Sequence, residues 1–139
     1  MTALARAIAA NCDALPVLVI LPPFEQQRVG NYLLDAGFLP LLLDDPSLGL
    51  EFVTAFGGRV AAIILGGTFA VMSVEAFCTV LADAYPQIPV VVVREEGNDV
   101  SDQYHLSIHQ PLTRDMVVQA IYNAVTNPPS IHTQPPNLP

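Results

Sequence analysis

Five short apolar runs punctuate the chain: VLVIL (17–21), LPLLL (39–43), VAAIIL (60–65), PVVVV (89–93) and LSIH (106–109). Stretches with helix-like spacing lie between most of them. Short, β-branched apolar runs alternating with helical segments predict a doubly wound α/β fold built on a parallel sheet. In such sheets ligands and catalysis gather beyond the carboxyl ends of the strands. Those ends carry Pro22-Pro23, Asp44-Asp45, Gly66-Gly67, Arg94-Glu95 and Gln110-Pro111, a poor inventory for catalysis.

The helices follow from the same periodicity. Pro22-Pro23 cannot donate ladder hydrogen bonds but can open a helix, and Val29, Tyr32, Leu33 and Ala36 then fall on one face before Gly37 stops it. Pro40 at the start of the second run predicts an edge strand. The second helix carries Leu48, Phe52, Ala55 and Phe56 on one side and ends at Gly57-Gly58. The third follows Ser73 as N-cap, presents Val74, Phe77, Cys78, Leu81 and Tyr85, and ends at Pro86. A last helix begins near Thr113 and buries Met116, Val117, Ala120, Ile121, Ala124 and Val125.

Three segments break the rhythm. EEGNDVSDQYH (95–105) is polar, with Val100 and Tyr104 as its only apolar anchors, so a loop or single helical turn is expected there in place of a full crossover helix. Residues 1–15 read as an extension: ALARAIAA (3–10) is apolar but too short to span a bilayer. After the folded unit, 16–126, the stretch 127–139 holds five prolines without apolar periodicity, and is expected to be extended or to lead toward a further output domain.

Composition narrows the function classes. Thirteen acidic residues oppose five arginines, no lysine is present, and the net charge is -8. Nucleic acid is held chiefly by clustered cations, so direct nucleic-acid binding by this unit is not expected, nor is attraction to an anionic membrane. Cys12 and Cys78 have no disulfide-framework spacing, and Cys78 sits on an apolar helical face, which suits a buried thiol in the cytoplasm.

The βα order, the size, the PVVVV strand and the strand-then-proline junction HQPLT (109–113) resemble the receiver domains of bacterial response regulators across about residues 16–126. The resemblance implies a three-layer α/β/α sandwich, flavodoxin-like or CheY-like, with five parallel strands in the order 2-1-3-4-5. It also implies where switch chemistry would sit. The family's Mg²⁺-binding acidic pair falls on Leu21 and Pro22, its phosphoacceptor Asp on Gly66, its hydroxyl residue on Arg94 and its lysine on Gln110.

Each of these substitutions removes a chemical function. Glycine has no nucleophile, Leu and Pro give Mg²⁺ no oxygen, and no acid lies within 17–24 or 60–74 to make good a shifted alignment. The expectation is a non-enzymatic pseudo-receiver without metal or cofactor, working in signal transduction or gene regulation through a protein partner or homodimer. VLVILPP and QPLTRDMV are also similar to the phosphorylation-independent receiver-like domains of ANTAR-type antitermination regulators. With the 95–105 helix shortened, the expected interaction face comprises Tyr104, Leu106, Ile108, Leu112 and Met116.

Other chemistries are weaker. Asp44-Asp45 stands where a dinucleotide fold places its ribose acid, but LPPFEQQ (21–27) has no Gly-rich phosphate cradle. His105 and His109 are spaced by four without a third ligand in a fixed pattern, and Glu95-Glu96 needs a converging partner to act as an acid/base pair. The alternative function is a small-molecule or nucleotide-binding domain with an anion site at Gly66, Gly67, Thr68 and Arg94.

Overall fold

The computed structural model describes residues 15–67, 69, 72–94 and 106–126. Five parallel strands, β1 (Pro16–Ile20), β2 (Leu39–Leu43), β3 (Ala62–Gly66), β4 (Val90–Arg94) and β5 (Leu106–His109), form one sheet in the order β2-β1-β3-β4-β5. Four helices are described: α1 (Pro23–Asp35), α2 (Pro46–Ala55), α3 (Val74–Ala84) and α4 (Arg114–Thr126). The expected fold class and strand order are therefore observed. The expected irregular segment 95–105, the extension and the proline-rich stretch lie outside the described residues.

The central strands β1 and β3 are buried along their whole length, which is why their sequences are continuous apolar runs and not alternating ones. Alternate residues feed two cores. Val17, Val19, Ala62, Ile64 and Val91 pack with Val29 and Leu33 of α1 and Val117, Ala120 and Ile121 of α4. Leu18, Ile20, Ile63, Leu65 and Val92 pack with Val53 of α2 and Phe77, Cys78 and Leu81 of α3. Pro40 does sit on the edge strand, opposite Val17 of β1.

Helix boundaries are set by local chemistry. Ser73 Oγ accepts the Ala76 N–H at 3.0 Å and Thr113 Oγ1 accepts that of Met116 at 3.2 Å, so each caps the helix that follows. Asp45 caps α2 by accepting from the backbone N–H groups of Ser47 and Leu48. Gly37, at φ +96°, closes α1 in the left-handed conformation that a glycine adopts without strain.

One apolar helical stripe lies largely outside the core. The α2 stripe of Leu48, Phe52, Ala55 and Phe56 does not point inward: Leu48 and Phe56 are 40% and 43% exposed, Ala55 is exposed, and Phe52 is only partly buried. The helix is seated on the buried Pro46, Gly49 and Val53, with Leu50 and Phe52 packed partly buried against the same core. The reason is steric. A Cβ on Gly49 would stand 2.7 Å from Ile20 Cδ1 and 3.4 Å from Phe77 Cε1, so the bare backbone of α2 lies against the sheet where a side chain would hold it away. Smaller corrections fall at helix ends: Ala36 is exposed and Val125 is 36% exposed, while Met116 is partly buried.

Candidate functional site

At the carboxyl ends of the central strands the described residues pack closely. At the end of β1, Leu21 is fully buried and Pro22 precedes α1. Ile20 pairs with Leu65 and Gly66 with Val93, so Leu21, Gly66 and Val93 meet at the top of the three central strands. A Cβ placed on Gly66 would lie 2.8 Å from Val93 Cβ, 2.9 Å from the Val93 carbonyl oxygen and 3.3 Å from Leu21 Cδ2. The position has no side chain and no room for one. Gly67, at φ +105°, turns the chain away from the sheet with both Pro22 Cδ and Cγ only 3.0 Å from where its Cβ would stand.

Side-chain hydrogen bonds join the strand ends around this apolar plug. Gln26, buried in the first turns of α1, donates its Nε2 to the carbonyl oxygens of Leu21 at 3.1 Å and Leu43 at 2.8 Å. One amide thus ties the end of β1 to the end of β2. Across the sheet, Gln110 Nε2 donates to Glu25 Oε2 at 2.6 Å, and its backbone N–H donates to the Arg94 carbonyl at 2.9 Å. Arg28 Nη2 reaches the Leu112 carbonyl at 3.2 Å, with its guanidinium 5.8 Å and 6.0 Å from the Phe24 and Tyr32 ring centres. Helix α1 is therefore fastened to both neighbouring strand ends and to the β5–α4 connection.

The sequence-derived site residues distribute as follows. Leu21, Pro22 and Gly66 come together as expected, and Gln110 stands beside Arg94 across the β4–β5 pair. Arg94, at the end of β4, is 9% exposed. Of the suggested anion site, Gly66 is buried, Gly67 is exposed, and Thr68 lies outside the described residues. Of the expected interaction face, Ile108 and Leu112 are buried at 9% and 4% exposure and belong to the core, leaving Met116 partly buried. Leu106 pairs with Val91 at the start of β5, and Tyr104 lies outside the described residues.

Charge does not assemble here into a metal centre: among the described residues no group of three His, Cys, Asp or Glu side chains could hold an ion. Asp44 is exposed, and Asp45 is engaged in capping α2, where the Ser47 hydroxyl and then the Leu48 N–H hold its carboxyl below the usual carboxylate range. His109 is an exposed strand residue. Cys78 is buried, and desolvation, with Glu75 adding repulsion, pushes its thiol up to about 12, so it is inert as a nucleophile near neutrality. Sequence reasoning missed the roles of Gln26 and Glu25. Their partners are 17 and 85 residues away, and no local pattern marks them. No helix of the described residues is long and apolar enough to cross a membrane.

No protein-family model matches the sequence, and a search of curated proteins finds no match. Solved structures do resemble the fold. A response regulator receiver domain protein from Clostridium thermocellum superposes with a TM-score of 0.72 at 16% identity, covering 81% of this chain and 94% of that one. A response regulator receiver protein from Sinorhizobium medicae WSM419 gives 0.71 at 17% identity, with 84% and 98% covered. The receiver domain of NtrX from Brucella abortus gives 0.71 at 16% identity, with 81% and 98% covered. Together with the strand order and the helices on both faces, these likenesses establish that the chain has the response-regulator receiver, or CheY-like, fold.

Proposed function

We propose that this chain is a receiver-like signalling module that works without phosphorylation, through contact with a protein partner or a second copy of itself. The observation that carries the reading is the packing at Gly66. A phosphoryl-accepting carboxylate needs a side chain at the end of β3, an oxygen-lined site for a divalent ion and a cation to hold the product. At this position the sheet end is filled by Leu21 and Val93, and the neighbouring Gln110 side chain is held by Glu25. With the phosphoacceptor position filled by hydrocarbon, the sheet end offers no carboxylate there for a phosphoryl group to join. It acts as a fixed platform, and what remains for signalling is the outer surface.

The reading extends to gene regulation in the cytoplasm, with the likeness to antitermination regulators as the particular setting. In that setting the domain supplies association and a partner supplies control. In the alternative, an anion site at Gly66, Gly67, Thr68 and Arg94, the backbone of the exposed Gly67 would carry the contact, since Gly66 is buried. The test is direct. Incubated with acetyl phosphate or beryllofluoride and Mg²⁺, the protein is expected to show no phosphoryl mass increment and no Mg²⁺-dependent change in its amide spectrum. A stoichiometric, Mg²⁺-dependent adduct overturns the reading.

A further inference from the structure

We infer that the outward stripe of α2 is a homodimer face, on which two copies pack their α2 helices antiparallel about a two-fold axis near Phe52. This deepens the reading of a contact module and rests on it. The stripe has the properties of a helix interface without its partner. Leu48, Phe52 and Phe56 recur every four residues, and Leu48 and Phe56 are 40% and 43% exposed. The Phe52 and Phe56 rings stack with centroids 4.2 Å apart and planes 13° apart, and Phe52, itself packed partly buried against the core, holds the exposed Phe56 in place. Ala55, exposed beside them, is small enough to admit a second backbone. The stripe lies about 100° around the helix from the seating residues Gly49 and Val53, so the same helix can bind the sheet and a partner at once.

Charge selects the occupant and its direction. Asp44 and Asp45 stand at the start of α2, the last turn of α2 has no basic residue, and the exposed Arg59 follows just beyond its end. In an antiparallel pair centred on Phe52, Leu48 of one copy meets Phe56 of the other, and the Asp44–Asp45 end of each lies beside Arg59 of the other. A parallel pair would set acid against acid and arginine against arginine. The stripe is thus self-complementary in shape and charge under a two-fold operation, which is what an isologous interface requires. A partner carrying a general basic patch would suit the net charge of -8, but it would not need an arginine at the far end of an acid-capped helix.

The test uses the whole 139-residue chain. Sedimentation across the micromolar to millimolar range is expected to show the wild type shifting from monomer to dimer. Phe56→Asp should stay monomeric throughout while keeping its circular dichroism spectrum and melting temperature, because residue 56 is outside both cores. Arg59→Glu should weaken association at least tenfold, and adding Asp44→Arg to it should restore most of that loss. In a Cys12→Ser background, Phe52→Cys should form a disulfide-linked dimer on mild oxidation. A wild type that is monomeric throughout overturns the inference, as does a dimer left intact by Phe56→Asp or a charge swap that rescues nothing. These outcomes are separate from the phosphorylation test: an adduct would break the contact-module reading whatever the oligomeric state, and a strict monomer would break only the homodimer.

Discussion

Helices α2 and α3 lie on the same side of the sheet, and each carries an apolar stripe at helical spacing, but only α3 turns its stripe inward. Phe77, Cys78 and Leu81 are buried beneath α3, whereas Leu48 and Phe56 of α2 face out and the helix sits on Pro46, Gly49 and Val53. Periodicity identifies which residues share a face. It does not say whether that face meets the core or something else, because the seat of α2 is made by a glycine that contributes nothing to hydropathy.

The comparison is most sharply tested by truncating one aromatic on each helix. Phe77→Ala should cost about 3–5 kcal/mol in urea unfolding, since it removes a fully buried ring and leaves a cavity between α3 and the sheet. Phe56→Ala, measured at a concentration where the chain is monomeric, should stay within about 0.5 kcal/mol of wild type. Equal losses from the two would mean that α2 rests on its stripe after all.

A smaller effect is expected from the seat itself. Gly49→Leu should destabilise by about 1–3 kcal/mol, because even its Cβ would collide with Ile20 Cδ1 in the packed interior. Ala55→Leu, two turns along on the exposed side, should be near neutral. If Gly49→Leu were as well tolerated as Ala55→Leu, close approach of the α2 backbone would not be what orients the helix.

The smallest effect, absent near neutral pH, separates the two helices by titration. Asp45 at the start of α2 has a folded pKa below its ordinary 3.8, so its contribution to stability is present above that value and is lost as pH falls through the folded one. Cys78 of α3 moves the other way, from 9.0 up to about 12, so the fold keeps a proton that the unfolded chain gives up, and stability declines as pH rises through that window. Thermal melts of Asp45→Asn should lose the acid-side slope relative to wild type, and those of Cys78→Ala the alkaline one. A Cys78→Ala melt that declines like wild type between those values would mean that the thiol is not desolvated.

Much of the fold was legible because its strongest signals are local. Continuous runs such as AIIL and VVVV fit only strands covered on both faces, and Ser73, Gly37 and Pro40 behave as their own backbone chemistry dictates. That position 66, at the end of β3, carries no side chain was legible too, since the glycine is visible without a structure. What closes that end was not. The Gln26 amide bridges carbonyls on two strands, and Glu25 meets Gln110 across most of the chain, contacts that arise only when the topology brings α1 over the strand ends. The burial of Ile108 and Leu112 was not legible for a related reason: they read as surface unless α1 and α4 are placed over them.

The packing around Gly66 also bears on how such a chain could change over evolutionary time. A substitution that placed a carboxylate at this position would meet Val93 before it met any ligand, and would need room opened at Val93, an oxygen donor in place of Leu21 and a cation in place of Gln110 before it could act. Each of those changes alone disturbs a well-packed sheet end and returns nothing. Several changes would have to coincide before an ionisable centre could form at this position.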